Sequence, residues 1–176
     1  MIKLFVLDFD KTLIPYDSWN MFIRMLFKKH PLKIGFILLL RKVKLINRKE
    51  LKRKVTDFVE RRMQLEELSQ NFIQQVSKDV KLPSCLFADE GEKEIIVLSA
   101  SPMIYMRHLG TYLKCQCEIV GSDYINGEYV EMCGEQKRKY LENHYHFDRY
   151  MYEYALSDSE SDMIWMKLFN KYELKK

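Results

Sequence analysis

The chain has 176 residues, of which 47% are hydrophobic and 31% charged, with 6 Gly and 4 Pro. That length makes one domain, or one domain carrying an insertion, and the composition excludes disordered, collagenous and low-complexity classes. The net charge of +4 is unevenly spread, because Arg24 to Arg62 holds fourteen Lys or Arg against only Glu50, Asp57 and Glu60.

In chain order, Ile2 to Leu7 are apolar apart from Lys3, the pattern of a strand buried on both faces as in a parallel sheet. The first acid, Asp8, comes too early for a signal peptide. With no export signal, Cys85, Cys115, Cys117 and Cys133 suit a reducing compartment, and a cytoplasmic location is expected. From Asp17 to about Val80, apolar residues recur at helical spacing (Leu51, Val55, Phe58, Val59, then Leu65, Leu68, Phe72, Ile73, Val76), which predicts an insert of about four helices. Its longest charge-free apolar run, Ile34 to Leu40, is well short of the ~20 residues a membrane span needs.

Pro83 and the acidic run Asp89-Glu90-Gly91-Glu92 end the insert. A second buried strand, Ile95 to Leu98, delivers Ser99. Ser101 then reads as the N-cap of a helix with Pro102 in its first turn. A strand near Glu118 to Val120 follows. Asn126-Gly127 between Ser122–Ile125 and Glu128–Met132 signals a type I′ hairpin. A helix is predicted from about Glu135 to Asn143 and a strand over Tyr152 to Leu156, leading to Ser157-Asp158. A final helix near Ser159 to Phe169 and a short strand close the chain. Strands alternating with helices give an α/β class with a mainly parallel, Rossmann-like sheet, an α-helical insert and a β-hairpin. The expected division is a core of residues 1–14 and 82–176 with a helical cap at 15–81.

In such sheets chemistry collects beyond the carboxyl ends of the strands. Three strand ends here carry polar clusters: Asp8/Asp10, Ser99/Ser101 and Asp158/Asp162. Phosphoryl transfer from a monoester needs an in-line nucleophile, cations to offset the phosphoryl charge, and an acid for the leaving oxygen. Asp8 and Asp10, two apart at a strand end, can face one site. Asp158 would complete an oxygen site of the kind Mg2+ takes, Lys137 would supply a point charge and Ser99 a hydroxyl donor.

These residues resemble the motifs of the haloacid-dehalogenase-like (HAD) hydrolases. Asp8-Phe9-Asp10-Lys11-Thr12-Leu13 is similar to motif I, Val97-Leu98-Ser99-Ala100-Ser101-Pro102 to motif II and Gly134-Glu135-Gln136-Lys137 to motif III. Ser157-Asp158-Ser159-Glu160-Ser161-Asp162 resembles motif IV of the branch that contains phosphoserine phosphatase. The resemblance implies Asp8 as the nucleophile that becomes an aspartyl-phosphate, and Asp10 as acid and then base. It implies Mg2+ held by the Asp8 and Asp158 carboxylates and the Asp10 carbonyl, with Ser99 and Lys137 on the phosphoryl group. Asp162 supports the metal or Lys137, and Thr12 orders the loop after the nucleophile. The helical insert resembles a cap that closes over the site and selects the substrate. The segment between the insert and Ser99 is short for the helix that relatives often have there.

The expected function is therefore a magnesium-dependent phosphatase acting on a small organic phosphomonoester, with phosphoserine as the first substrate to test. A phosphorylated lipid head group is the enzymatic alternative, because the basic insert beside Ile34 to Leu40 could rest on an anionic membrane surface. A phospho-accepting signalling domain or a non-hydrolytic phosphate binder is the alternative of another class; the insert and Asp10 argue against the first. Dehalogenation has no need of Asp10 and Asp158. His144-x-His146 and Cys115-x-Cys117 lack a second pair at zinc spacing and read as surface or core. No recognition module points to nucleic acid.

Overall fold

The computed structural model describes residues 1–88 and 91–175, so Asp89 and Glu90 of the acidic run lie outside the described residues. Six strands form one sheet: β1 (Ile2–Leu7), β2 (Lys93–Pro102), β3 (Glu118–Ile125), β4 (Glu128–Val130), β5 (Tyr150–Ser157) and β6 (Lys171–Leu174). Their order is β4-β3-β2-β1-β5-β6. The β3–β4 pair is antiparallel and every other pair is parallel. At Asn126 and Gly127 φ is 51° and 81°, the two positive values that a type I′ hairpin turn requires.

β1 lies at the centre, and its composition explains the place. Leu4 and Val6 pack on one face of the sheet, while Phe5 and Leu7 pack on the other. Each is at most 2% exposed. A strand with no polar face is stable only where both faces are covered. On the Leu4/Val6 side lie α7 (Glu135–His144) and α8 (Met163–Met166), contributing Leu141, Trp165 and Met166. On the Phe5/Leu7 side lie α6 (Met103–Met106) and the helical insert.

The insert comprises α1 (Ser18–Lys29), α2 (Pro31–Lys42), α3 (Arg48–Glu60) and α4 (Met63–Ser77), followed by the single turn α5 (Cys85–Ala88). Local signals fix its helix ends. Asp17 caps α1 by accepting from the Asn20 amide, and Pro31 opens α2. Asn47 and Glu50 form a capping box on α3. Leu51, Val55, Phe58 and Val59 of α3, with Leu65, Leu68, Phe72, Ile73 and Val76 of α4, are buried as their spacing predicts. The two ends of the insert are joined where the Lys81 N–H donates to the Leu13 carbonyl at 2.8 Å.

Two expectations are corrected. Ser101 is not a helix cap, because β2 continues through it to Pro102 and α6 begins at Met103 with no side-chain cap. The final helix is shorter than Ser159–Phe169. A 3-10 turn at Glu160–Asp162 precedes α8, and after Met166 the amides of Leu168 and Phe169 bond three residues back. The Asp162 carboxylate is tied to Ser157 and Lys137 instead of facing solvent, which holds that turn tight against the sheet.

Candidate active site

Asp8 directly follows β1, and its N–H donates to the Leu156 carbonyl of β5 at 2.8 Å. The chain then turns sharply. The Phe9 carbonyl accepts from the amides of Thr12, Leu13 and Ile14, and Lys11 takes the left-handed conformation with φ 56°. A non-glycine residue held there is strained, as is common where a loop must aim side chains into a site. Asp10, Lys11 and Asp17 are thereby turned towards the cleft that Asp8 lines.

That cleft, about 350 Å³, lies beyond the carboxyl ends of the parallel strands and is lined by Asp8, Asp10, Ser99, Lys137, Asp158 and Asp162. All the residues singled out from the three strand ends and from the start of α7 share it, except Ser101, which reaches it through Asp10. Thr12 stands behind, its hydroxyl donating to Asp8 Oδ2 at 3.2 Å. The other Asp8 oxygen accepts from Lys137 Nζ at 2.7 Å, and the same ammonium donates to Asp162 Oδ2 at 2.6 Å. Asp162 thus contacts Lys137, and Ser157 Oγ donates to the same Asp162 oxygen at 2.8 Å.

Lys137 and Asp162 are each 2% exposed and Asp8 6%. A charge so far from water persists only when partnered. Burial pushes the Asp8 carboxyl up to about 6 although Lys137 pulls the other way. Burial alone would lower the Lys137 ammonium, but Asp8 and Asp162 together raise it, so it keeps its charge. Burial also raises Asp10, against the hydrogen bonds from Ser101 and Ser18.

Asp10 is held by groups from two different layers. Its Oδ1 accepts from the Ser18 amide at 2.7 Å, at the start of the insert, and its Oδ2 from Ser101 Oγ at 2.5 Å, in β2. The Ser18 hydroxyl lies 3.1 Å from Ser101 Oγ and 3.0 Å from the Tyr105 hydroxyl. Tyr105 is fully buried, and its phenol is raised well above the usual value by that burial.

The insert also reaches the cleft through α3. Lys52, 1% exposed, donates to the Ala100 carbonyl at 2.8 Å and to Glu131 Oε1 at 2.5 Å. Arg48 Nε lies 3.4 Å from the same Glu131 oxygen, and both Arg48 and Glu131 line the cleft. No motif in the sequence singles out Ser18, Lys52, Arg48, Glu131 or Tyr105. One signal for Lys52 was available: it falls on the apolar stripe of α3, three and four positions before Val55 and Thr56, where a solvated lysine has no place.

Among the described residues no group of three His, Cys, Asp or Glu side chains is placed to hold a metal ion. A cation in this cleft would meet carboxylate oxygens, those of Asp8 and Asp158 among them. An all-oxygen set of few carboxylates and several waters is one that Mg2+ takes, and the residues present fit it. His144 Nδ1 is bonded to the Tyr140 carbonyl at 2.8 Å, and Cys115 and Cys117 lie partly buried against the core on the Phe5/Leu7 side.

The sequence matches no protein-family model and no curated protein. Solved structures match along almost the whole chain. A Bordetella pertussis protein of unknown function aligns at TM-score 0.68 and 14% identity, over 98% of this chain and 89% of that one. A phosphoserine phosphatase in a phospho-aspartyl intermediate analogue aligns at TM-score 0.56 and 14% identity, over 97% and 85%. A HAD family hydrolase from Salmonella enterica serovar Typhi aligns at TM-score 0.54 and 12% identity, over 95% of this chain and 60% of that one. The chain has the fold of the HAD-like hydrolases. Within the HAD-like fold the cleft lies where a doubly wound sheet gathers ligands. No described helix is long and apolar enough to cross a membrane.

Proposed function

We propose that the chain is a magnesium-dependent phosphatase that hydrolyses a small organic phosphomonoester through an aspartyl-phosphate on Asp8, with residues 15–81 as its cap. The observation that carries this reading is the buried Asp8–Lys137–Asp162 array, with Asp10 and Asp158 lining the same cleft. A carboxylate, a fixed ammonium and a second carboxylate pair are the groups that in-line phosphoryl transfer needs.

Asp8 attacks phosphorus while the bond to the leaving oxygen breaks. Burial raises the Asp8 carboxyl to about 6, and the Lys137 ammonium against it opposes that rise, favouring the ionised form that a nucleophile needs. Asp10, raised by burial and steered by Ser18 and Ser101, gives its proton to the leaving oxygen. It then takes a proton from the water that attacks the aspartyl-phosphate, releasing phosphate and restoring Asp8. Ser99 and Lys137 bind the phosphoryl oxygens, and Asp162 keeps Lys137 aimed at the site. The Asp8 and Asp158 carboxylates and the Asp10 carbonyl would hold Mg2+, which when bound offsets the repulsion between an anionic nucleophile and an anionic substrate.

Phosphoserine is the first substrate to test. Phosphoserine phosphatases are among the structural neighbours, and the cleft offers both a cation, Arg48, and a carboxylate, Asp17, beside the phosphate-binding residues. The test is phosphate release from a panel of monoesters, with and without Mg2+, by the wild type and Asp8→Asn. Metal-dependent release that the substitution reduces at least about a thousandfold is expected. Equal release by both proteins would overturn the reading, and stable phosphorylation of Asp8 without turnover would favour a signalling domain.

A further inference from the structure

The insert carries an apolar face that no described residue covers. On α2, Ile34 and Ile37 point into the core, at 0% and 3% exposure. The opposite side presents Leu32, Phe36, Leu39 and Val43, exposed by 89%, 56%, 53% and 53%. Their spacing of four, three and four residues places them on one stripe along the helix. Leu45, just past the helix end, is 71% exposed. Phe27, 43% exposed at the end of α1, stands beside it, its ring 3.3 Å from where a Cβ on Gly35 would lie. Single exposed apolar residues are ordinary, but an aligned row of large ones marks a surface that meets another apolar phase.

From Lys28 to Lys44 every charged residue is basic. Lys28, Lys29, Lys33, Arg41, Lys42 and Lys44 flank it, and all are exposed. Between α2 and α3 runs a groove of about 560 Å³ with Phe36, Ile37, Leu40 and Phe58 as its apolar lining. Lys33, Lys54, Arg61 and Arg62 also line it, and its one acid, Asp57, is already engaged by Arg53 at 3.7 Å and by the Tyr124 hydroxyl. Among the described residues Lys33, Lys54 and Arg61 have no ion-pair partner. An apolar stripe bordered by unpaired cations is complementary to a bilayer interface with anionic head groups, where the stripe enters the acyl boundary and the cations meet phosphate.

We propose that the outer face of α2 docks this protein on anionic phospholipid membranes, with Leu32, Phe36 and Leu39 inserted and the α2–α3 groove receiving a lipid phosphate. The inference is independent of the phosphatase reading. It makes α3 the shared element of two surfaces, since Lys54 lines the groove while Arg48 lines the cleft.

Flotation of the full chain with vesicles tests it, using phosphatidylcholine alone against phosphatidylcholine mixed with phosphatidylglycerol. Binding to the mixed vesicles only, weakened by salt, is expected. Leu32→Gln/Phe36→Gln/Leu39→Gln should reduce binding at least tenfold, and Lys33→Gln/Lys54→Gln/Arg61→Gln should do likewise. Because a multiple variant can misfold, Phe36→Trp gives a second readout. Its emission should move to shorter wavelength on mixed vesicles, against Trp19 and Trp165, which are 6% and 0% exposed. Failure to bind either vesicle, binding unchanged by the apolar variant, or an unmoved Phe36→Trp spectrum would each overturn the proposal. A wild-type dimer that ignores vesicles and becomes monomeric on the triple apolar substitution would instead assign the face to self-association.

Discussion

Ser101 Oγ donates to Asp10 Oδ2 at 2.5 Å, joining the second strand to the loop that follows the first. The bond fixes one oxygen of Asp10 while the Ser18 amide fixes the other, so the carboxylate that acts as the base is held in one orientation. A hydrogen bond to a charged group contributes about 1.5–3 kcal/mol. Ser101→Ala should therefore lower kcat about tenfold or more with little change in KM, and Ser101→Thr should restore much of it. Steady-state kinetics on the three proteins decide the matter; an unchanged kcat in Ser101→Ala would leave Ser101 a packing residue.

Lys137 sits between two buried carboxylates, and removing it leaves both without a counter-charge. Lys137→Met should cost about 3–5 kcal/mol of stability, measured by urea unfolding without metal. Adding Asp162→Asn to that variant should recover part of the loss, because one of the stranded charges disappears. A double variant as unstable as the single one would show that the ammonium acts by packing and not by charge.

Gly121 lies under the same strand end. A Cβ built there would stand 2.4 Å from the Ser101 carbonyl oxygen, a backbone atom that cannot swing away. Gly121→Ala should cost about 1–3 kcal/mol and lower activity alongside Ser101→Ala, since it displaces the residue that steers Asp10. Gly110→Ala is the control, its nearest neighbour being a side-chain atom at 3.7 Å. Thermal melts and activity of the two alanine variants should diverge.

Glu118 accepts hydrogen bonds from Tyr140 and Tyr145, and burial together with that carboxylate raises both phenols above the ordinary value of 10.0. A phenol raised on folding contributes stability that is fully present below pH 10 and is lost as pH climbs towards its folded value. These two phenols add no slope to the unfolding free energy below pH 10, and above it that free energy should fall. Glu118→Gln should flatten that fall, because the phenols then move back towards their unfolded value. A slope indifferent to Glu118 would place the alkaline sensitivity elsewhere.

Much of this site was legible in the sequence because its catalytic candidates obey local rules. Asp8, Ser99 and Asp158 follow or end apolar runs, and an apolar run between polar clusters is a strand wherever it is met. Asn126-Gly127 gives the hairpin for the same reason, through the φ values that those residues tolerate. Ser101 misled because a serine before proline has the local chemistry of a helix cap, whereas its real partner, Asp10, is 91 positions away. The grip of Lys52 on Ala100 and Glu131, and the meeting of Ser18 with Tyr105, depend on how the insert packs against the sheet. The shortened last helix depends on Asp162 being drawn inward by Lys137 and Ser157, again a tertiary bond.

The central strand also has a history on the ribosome. Ile2–Leu7 takes its two neighbours from Lys93–Pro102 and Tyr150–Ser157, with the whole helical insert translated before the first of them. At the ~5–20 residues per second of synthesis, this apolar segment waits for seconds with both edges unpaired. The proposed nucleophile thus rides on a segment whose seat is finished only when β5 emerges. Nascent chains stalled before Tyr150 should expose that strand, and they are the species on which chaperone dependence or aggregation of this protein would be decided.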